Sequence, residues 1–548
     1  MLPYAPSTEL ETHAVTNQPT PLVDLNLYET DLALREAVQL HAGDWLDRRA
    51  SALGAVVGSE TVLALGAEAN RHPPELMGFD RYGRRLDEVR FHPSYHRLMQ
   101  LAMEHRIHDL AWAEARPDAH VAHAALLALF TQAEAGVMCP TNMTYAAVPA
   151  LRTDPAVGGP WLGKLIGGGY DAPLRPIAQK AGISLGMAMT EKQGGSDVRA
   201  NTTRAEGLGS EGLYRLVGHK WFCSAPMSDG FLTLAYAAGG QTCFLVPRIA
   251  PDGERNAIQL MRLKDKLGDR SNASAEIEYH GALAFRLGEE GRGVKTIIEM
   301  VHHTRLGTIA ATLGVMRRAL AEAVHHVAGR TAFQKRLIDQ PAMTAVIADL
   351  ALEYEAAAHL VVRTARAFGD EDAHGRAFAR LAVALAKFRL TKRCPDFVYE
   401  CMECHGGVGY VEETPLPRYY RQAPLNAIWE GSGNVIALDV LRTLAREPAA
   451  AEAYIAELEA ARGAHAALGP AIDALRRDLA AAPPAEAEAR QTVEHMALLL
   501  QASLLARHAP GAVADAFIRT RLLGEGGRCY GALPKGVDLA AIVTRQAR

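Results

Sequence analysis

The chain has 548 residues, 49% of them apolar and 22% charged, with a formal net charge of −4. This length favours several packed domains that can bury a large cofactor, and the composition excludes a mostly disordered chain. The slight acidity excludes a global attraction to nucleic acid or anionic lipid, so binding to either would need a local basic patch.

Three regions of different periodicity follow one another. Apolar residues at three- and four-residue spacing predict an N-terminal helical domain over residues 1–182. Short β-prone runs broken by Gly, Pro, Asn and Asp predict a β domain over 183–290. Long amphipathic segments predict a helical bundle over 291–445. Because strands and helices do not alternate, the class is α+β and multidomain, and a doubly wound nicotinamide-binding sheet is disfavoured.

An alanine-rich segment follows the bundle. Residues 446–548 have helical periodicity interrupted at Gly469-Pro470 and Pro483-Pro484, which predicts an additional C-terminal helical domain. Its acidic and basic residues nearly balance, although roughly the last fifty residues lean basic. Since phosphate contacts supply nonspecific affinity for DNA, DNA binding by this additional domain would need a basic face formed by these residues.

The stretch CMECHGGVGY, residues 401–410, combines the C-x-x-C-H spacing of c-type haem attachment with a glycine-rich turn that suits a phosphate. Haem c attachment is typical of exported proteins, and the acidic, proline-containing N-terminus predicts no export signal. Few cysteines, odd in number, predict reduced thiols in a cytoplasmic protein, and the lack of about 18 consecutive apolar residues predicts no membrane partner. Haem is disfavoured, and without a second ligand pair no metal site is predicted.

Short polar and glycine-containing blocks recur from the β domain onward. In chain order they are GMAMTEKQGGSD (186–197), HKWFCSAP (219–226), KDKLGDRSNAS (264–274), RTAFQKRLIDQ (330–340), HGGVGY (405–410) and NAIWEGSGNVIALDVLR (426–442). Each block alone is typical of a loop or a core strand. In this order they resemble the acyl-CoA dehydrogenase flavoprotein family, including isovaleryl-CoA dehydrogenase. HPPELMGFDRYGRRLDEVRFHP (72–93) and the extra C-terminal helices resemble its AidB-type alkylation-response branch.

The resemblance implies a fold and a chemistry. The fold is an N-terminal helical domain, a middle β-barrel domain and a C-terminal four-helix bundle, here followed by the additional helical domain. The cofactor is FAD; a carboxylate removes the α-proton of an acyl-CoA and the β-hydride passes to flavin N5. Glu430 occupies the position of this base, and burial would raise its pKa towards neutrality. Isovaleryl-type members carry the base at the position of Thr304, and threonine cannot replace a carboxylate.

The resemblance also assigns residues to the cofactor. Those expected to contact FAD are Met189, Thr190, Gly195, Ser196, Trp221, Phe222, Cys223, Ser224, Arg330, Phe333, Gln340, Gly406, Gly407, Ile428, Ser432 and Asn434. The residues at 330–340 and the glycine pair at 406–407 are expected to reach the FAD of a neighbouring subunit, which implies a homotetramer. Position 334, commonly Gly in the family, is Gln here.

Two functions are compatible with the resemblance. The first is an alkylation-response protein that binds double-stranded DNA and protects or repairs it, with acyl-CoA dehydrogenase activity. Arg442, Arg519 and Arg521 are the expected phosphate contacts. The alternative is a metabolic dehydrogenase for short or branched acyl-CoA, with an electron-transferring flavoprotein as acceptor and no nucleic-acid role.

Overall fold

Helices and one hairpin make up the N-terminal region. In the computed structural model, which describes residues 6–481 and 484–546, the helices are α1 (Leu32–His41), α2 (Asp44–Val57), α3 (Glu60–Arg71), α4 (Pro93–Glu104), α5 (Leu110–Ala113), α6 (Ala119–Thr131), α7 (Met138–Ala146), α8 (Val148–Arg152) and α9 (Pro155–Leu165). β1 (Glu75–Phe79) and β2 (Arg85–Arg90) pair antiparallel between α3 and α4, a hairpin that helical periodicity did not predict. α6 is buried along its whole length because its sequence is apolar around the full circumference.

The middle region is a closed barrel. Its strands are β3 (Leu185–Ala188), β4 (Arg204–Gly207), β5 (Leu213–Ser224), β6 (Gly230–Ala237), β7 (Gly240–Pro247), β8 (Ile258–Leu263) and β9 (Ser274–Leu287). The hydrogen-bonded order β6-β4-β5-β9-β7 closes because β7 also pairs with β6, while β3 lies parallel to β6 and β8 pairs with β9. Closure leaves few exposed strand edges. The predicted β-barrel domain is confirmed.

Long helices form the bundle. They are α10 (Gly293–Gly329), α11 (Pro341–Ala367), α12 (Ala373–Glu403), α13 (Leu416–Gln422) and α14 (Gly433–Arg446), with a small hairpin of β10 (Thr331–Ala332) and β11 (Lys335–Arg336) after α10. α10, α11 and α12 pack against one another, and α14 packs on α12. The acyl-CoA dehydrogenase fold predicted from the blocks is confirmed.

The C-terminal segment is a further helical layer on the bundle. It contains α15 (Pro448–Glu459), α16 (Leu468–Ala481), α17 (Ala489–His508), α18 (Gly511–Phe517), a π-helical turn (Ile518–Leu522) and α19 (Leu539–Thr544). α15 and α17 pack on α12, and α17 and α19 pack on α11. Leu458, Leu500 and Phe517 belong to the same hydrophobic core as Leu350 and Val398 of the bundle. Gly469-Pro470 lies in the first turn of α16, a position that proline tolerates; Pro483 lies outside the described residues.

A second apolar cluster joins the barrel to the helices. Trp161 of α9 and Ile297 of α10 pack with Leu185, Leu232 and Leu234 of the barrel. The barrel therefore lies against the first turns of α10, whereas α6 lies against its later part, where a Cβ at Gly314 would stand 2.3 Å from the Ala128 carbonyl oxygen. The first turns of α10 therefore contact the barrel, and its later part contacts the N-terminal helices.

No single helix within the described ranges is long and apolar enough to span a membrane. α2 and α3 meet that test of length and composition only as a pair, and they are bent by 65° where they join. In the fold, α2 packs on α6 and α3 packs on α4.

Candidate active site

A cavity of about 690 Å³ lies where the barrel, the α6–α7 region, α10 and the α13–α14 segment meet. Next to the barrel, the cavity is lined by glycine and by hydroxyl-bearing residues, among them Thr190, Ser196 and Ser224. The part of the cavity next to α6, α7 and the later part of α10, called the helical arm below, is lined mainly by apolar side chains such as Leu127, Ala311 and Val315. Glu430 also lines this cavity.

Glu430 sits on a tightly held loop between α13 and α14. Its φ is +56°, and Gly431 follows with φ of +102°, so two successive residues are in the left-handed region, which is unfavourable for glutamate. Arg305 Nε donates to the Glu430 carbonyl oxygen at 3.2 Å, and Lys387 Nζ donates to the Gly431 carbonyl oxygen at 2.7 Å. These two cations, from α10 and α12, hold the loop in its unusual conformation.

Thr304 is the direct partner of the Glu430 carboxyl group. Its Oγ1 lies 2.7 Å from Glu430 Oε2 and 2.9 Å from the Val301 carbonyl oxygen. A hydroxyl has one proton, so it donates to Glu430 when that carboxyl is ionised. When Glu430 is protonated, the carboxyl donates to Thr304 and the hydroxyl turns to Val301. Thr304 therefore hydrogen-bonds to the carboxyl in both protonation states.

The charges around Glu430 act against the effect of its burial. Burial raises the pKa of Glu430, while the Thr304 hydrogen bond and the charges of Lys387 and Arg305 oppose that rise. Lys387 is 1% exposed; burial and the neighbouring Arg305 lower its pKa to about 7. Arg305 also pairs with Asp439 at 2.9 Å. A carboxyl with a raised pKa and nearby cations suits a general base.

The barrel wall is shaped to accept a flat ring with a phosphate tail. A Cβ at Gly195 would stand 2.4 Å from Thr190 Oγ1, so only glycine leaves this cradle open. The loop is anchored by Glu191, which pairs with Lys220 at 2.9 Å, both fully buried. Burial acts to raise the pKa of Glu191, but Lys220 and hydrogen bonds from Thr202 and Thr203 outweigh it and lower the pKa to about 2. The open cradle at Gly195 and the firmly anchored loop that carries Thr190 fit the FAD predicted from the sequence resemblance.

β5 presents alternate residues to the cavity. Phe222 and Ser224 line it, whereas Cys223 is buried in the barrel core. The Trp221 ring does not line the cavity and instead lies under Lys264, whose Nζ is 3.2 Å from the ring centroid. Because side chains alternate along a strand, one strand cannot direct four successive residues to one ligand. Of the four predicted contacts on this strand, Phe222 and Ser224 therefore line the cavity and Trp221 and Cys223 do not; contact of these four residues with the flavin stays a prediction.

The other predicted cofactor residues divide into two groups. Those lining the cavity are Met189, Thr190, Gly195, Ser196, Phe222, Ser224, Ile428 and Ser432. Those away from it are Arg330, Phe333, Gln340, Gly406, Gly407 and Asn434. Phe333 is 92% exposed at the tip of the β10–β11 hairpin, with φ of +51°, and Gln334 follows with φ of +63°. The contact of Asn434 with FAD, and of the other five with the FAD of a neighbouring subunit, stays a prediction.

The three arginines predicted to contact DNA differ in their surroundings. Arg521 is only 13% exposed and forms ion pairs with the buried Asp349 and Glu353. Its charge is neutralised inside the protein, which does not favour a contact with phosphate; that contact stays a prediction. Arg519 pairs with Glu525 at 2.8 Å. Arg442 is 60% exposed and lies 3.6 Å from a carboxylate oxygen, which leaves it the most accessible of the three.

The C-x-x-C-H stretch lies apart from the cavity. Cys401 and Cys404 are buried where α12 ends, and burial raises the pKa of Cys404 to about 12. The His405 ring nitrogen Nδ1 donates to the Cys401 carbonyl oxygen at 2.8 Å. In the described part of the chain, no group of three or more His, Cys, Asp or Glu side chains is arranged to hold a metal ion.

A barrel packed against a helical bundle, with a buried carboxyl group and the hydroxyls of the barrel side lining one cavity, is the arrangement of an acyl-CoA dehydrogenase-type flavoprotein. Family profiles agree: the adaptive response protein AidB N-terminal domain matches residues 17–172, and the acyl-CoA dehydrogenase middle and C-terminal domains match 186–282 and 291–445. The putative acyl-CoA dehydrogenase AidB of Escherichia coli (strain K12) is 45% identical over 94% of this chain and 96% of that protein. The chain belongs to the acyl-CoA dehydrogenase family, in its AidB branch.

Solved structures show the same architecture. Caenorhabditis elegans ACDH-11 in complex with C11-CoA has a TM-score of 0.84 at 26% identity and covers 98% of this chain and 95% of its own. Butyryl-CoA dehydrogenase from Megasphaera elsdenii has a TM-score of 0.55 at 20% identity and covers 78% of this chain and all of its own, a likeness of fold. The chain is an FAD-dependent oxidoreductase of this family, and the predicted cofactor is confirmed.

Proposed function

We propose that this chain oxidises an acyl-CoA thioester, with Glu430 as the base that removes the α-proton. The observation that carries the proposal is the position of Glu430. Its carboxyl group is buried, hydrogen-bonded to Thr304 and located in the cavity that the flavin wall also lines. A base must lie within reach of the proton it removes and be ionised at working pH.

Each part of the cavity has a role in this reaction. FAD, when bound, supplies the acceptor for the β-hydride. Thr190, Ser196 and Ser224 are placed to hydrogen-bond the cofactor, and Phe222 covers its ring. Glu430 accepts the α-proton, after which Thr304 accepts the hydrogen bond of the new carboxylic acid. The apolar side chains of the helical arm exclude water from the reacting carbons.

The helical arm is long enough for a medium-length acyl chain. Thr304 and Val315 both line the cavity along α10. At about 1.5 Å of rise per residue they are about 16 Å apart, which accommodates an extended chain of about ten to twelve carbons. The related ACDH-11 structure contains C11-CoA, which supports a substrate of this size over the short or branched chain considered from the sequence.

Flavin reduction under anaerobic conditions tests the proposal. Wild-type holoenzyme mixed with decanoyl-CoA should lose its oxidised-flavin absorbance. Glu430→Gln should retain FAD but reduce at least about a hundredfold more slowly, since general-base catalysis contributes about 10²–10⁴. Thr304→Val is the matched control, because it removes a partner of the base and keeps the base itself. Equal reduction rates in wild type and Glu430→Gln would place the base elsewhere.

We also propose that the active form is a homotetramer in which the β10–β11 hairpin reaches a neighbouring subunit's FAD. An aromatic side chain as exposed as Phe333 supports this, because large apolar groups on a surface commonly mark interfaces. Phe333→Ser should reduce both the tetramer fraction in mass photometry and the FAD retained per chain. A variant that keeps full FAD content and the same assembly would argue against it.

The proposed electron acceptor is an electron-transferring flavoprotein; one relative is described as a subunit of a caffeyl-CoA reductase–Etf complex.

A second proposed function is binding of double-stranded DNA in an alkylation response. It is supported by the match of residues 17–172 to a domain described as that of an adaptive response protein, and by the exposed Arg442. Anisotropy of a labelled duplex, titrated at several salt concentrations, tests it. Arg442→Ala should weaken binding and reduce the salt slope by about one, the value for one lost phosphate contact. Binding that is undetectable at low salt would reject this function.

A further inference from the structure

Asp439, in the second turn of α14, contacts three arginines, and the proposed chemistry does not use it. Its Oδ2 accepts a hydrogen bond from Arg305 Nη1 at 2.9 Å, and its Oδ1 accepts one from Arg380 Nη2 at 2.7 Å. The exposed Arg442 lies 3.6 Å from Oδ1. Because Arg305 belongs to α10 and Arg380 to α12, this one carboxylate joins α14 to the two long helices beside the active site.

Arg305 is also bound to the residue that carries the base. Its Nε donates to the Glu430 carbonyl oxygen at 3.2 Å, while its Nη1 donates to Asp439. A guanidinium is planar, so contacts on two of its nitrogens fix its orientation. Among residues 6–481 and 484–546, Asp439 is the one carboxylate within ion-pair distance of Arg305, whose side chain is 6% exposed. Arg305 therefore lies next to Glu430 but pairs its charge with a different carboxylate.

The Glu430 carboxyl group responds to the cations around it. Burial raises its pKa, while the Thr304 hydrogen bond and the charges of Lys387 and Arg305 oppose that rise. Cys139 of α7 lines the same cavity, and burial raises the pKa of its thiol, so the thiol stays neutral. A cation that moved closer to Glu430 would lower the pKa of the base further.

Asp439 keeps its charge over the range in which the base titrates. Burial acts to raise its pKa, but Arg305 and Arg380 outweigh this and lower the pKa below its usual value. Burial and the charges of Arg380 and Arg305 lower the pKa of His302 to about 3, so this neighbouring imidazole is neutral. Burial raises the pKa of Glu299, and Arg380 opposes that rise.

We propose that Asp439 is a positioning residue, which keeps the guanidinium of Arg305 on the backbone of the α13–α14 loop and away from the Glu430 carboxylate. This rests on the proposed acyl-CoA function and adds a residue that acts on its base. A buried cation that loses its carboxylate is left without compensation, which is strongly unfavourable. Without Asp439, Arg305 would turn to the carboxylate of Glu430, the residue whose backbone it already contacts. A carboxylate paired with a guanidinium is a weaker base and is held away from the α-carbon.

Titration of Glu430 is the first measurement, because it needs no substrate. Infrared spectra of holoenzyme over a pH series show the C=O band of the protonated carboxyl, which is identified by its loss in Glu430→Gln. In Asp439→Asn the midpoint of this band should move to lower pH. In Arg305→Gln the midpoint should move to higher pH, because a cation that opposes the effect of burial is lost. The double variant should have the midpoint of Arg305→Gln, since Asp439 acts through Arg305.

Flavin reduction by decanoyl-CoA is the second measurement. Asp439→Asn should retain FAD and reduce about ten- to a hundredfold more slowly at the plateau of its pH profile. Its acidic limb should move to lower pH together with the infrared midpoint, a change that loss of stability alone would not produce. Asp439→Glu, which keeps a carboxylate for Arg305, should restore most of the rate. Glu447→Gln is the matched control, because Glu447 lies 3.9 Å from Arg380 and is half exposed; both readouts should stay at their wild-type values.

The outcomes separate this inference from the function on which it rests. An unchanged infrared midpoint in Asp439→Asn overturns it. An equal shift to lower pH in the wild-type and Arg305→Gln backgrounds also overturns it, because Asp439 would then act through its own charge. If Asp439→Asn does not fold, Asp439→Ser, a second neutral variant, takes its place in the same cycle. If the thioester does not reduce the wild-type flavin, the acyl-CoA function fails, and the infrared titration still decides the role of Asp439.

Discussion

Replacing Arg521 by methionine should loosen the C-terminal layer rather than alter a ligand site. The guanidinium bridges two buried carboxylates of α11, Asp349 and Glu353. Without it, Glu353 keeps Arg389 at 2.8 Å, but Asp349 keeps only the Gly531 backbone N–H at 2.9 Å. Removing one partner of a buried ion pair lowers the free energy of unfolding by about 3–5 kcal/mol, because the remaining charge stays buried without compensation.

Hydrogen exchange is the suitable assay, because a chain of this size need not unfold in one step. Since about 1.4 kcal/mol corresponds to a factor of ten, amides over residues 518–531 should exchange at least about a hundredfold faster in Arg521→Met. Amides of α6 should not change. Arg442→Ala is the control, since Arg442 is 60% exposed and should leave exchange unaltered.

The same variant has a defined pH dependence. Burial raises the pKa of Asp349 and Arg521 opposes that rise, so removing Arg521 raises the pKa of Asp349 further. A protonated carboxyl needs no cation. The destabilisation should therefore be complete at neutral pH and should shrink as pH falls through the raised pKa. Exchange that matches wild type at neutral pH, together with weakened duplex binding, would refute this reasoning and return Arg521 to the DNA surface.

Three further predictions concern the cavity. Lys387→Met should move the acidic limb of the pH profile of flavin reduction to higher pH, because a cation that lowers the pKa of the base is lost. An unmoved limb would show that the charge of Lys387 does not act on the base. Ala311→Leu, four residues before the end of the helical arm, should shorten the preferred acyl chain by several carbons in a series of kcat/KM values; an unchanged optimum would place the chain elsewhere. Gly195→Ala should weaken FAD binding about tenfold in titrations of apoprotein, because the new Cβ would stand 2.4 Å from Thr190 Oγ1. Gly163→Ala, with open space around it, should bind FAD normally.

The sequence predicted most of the barrel side of the site because its blocks combine glycines and hydroxyls in a fixed order. The sequence does not show in the same way which residues of β5 face the cavity. The block HKWFCSAP identifies a strand, but a register shift between Lys220 and Cys223 decides which residues face the cavity. As a result Phe222 and Ser224 line the cavity, whereas the Trp221 ring does not.

Other residues in and around the cavity carry no local signal in the sequence. Lys387 lies in the middle of a long helix, where a lysine ordinarily indicates a solvated face. Asp269 lies in a polar, turn-rich block that is typical of a surface loop. Both are buried only because distant segments cover them, α14 and its preceding loop in one case and α13 in the other. Burial of this kind depends on tertiary packing, so periodicity and composition do not predict it.

The C-terminal layer and the active site are joined through α12. Lys387 holds the base-bearing loop from one side of this helix, and two residues later Arg389 pairs with Glu353 of α11 and contacts Gln501 of α17 at 3.4 Å. Positions two apart in a helix point to nearly opposite sides. One rigid element therefore bears the site on one face and the C-terminal layer on the other. The loop of Glu430 and the C-terminal layer therefore share α12 as a common support.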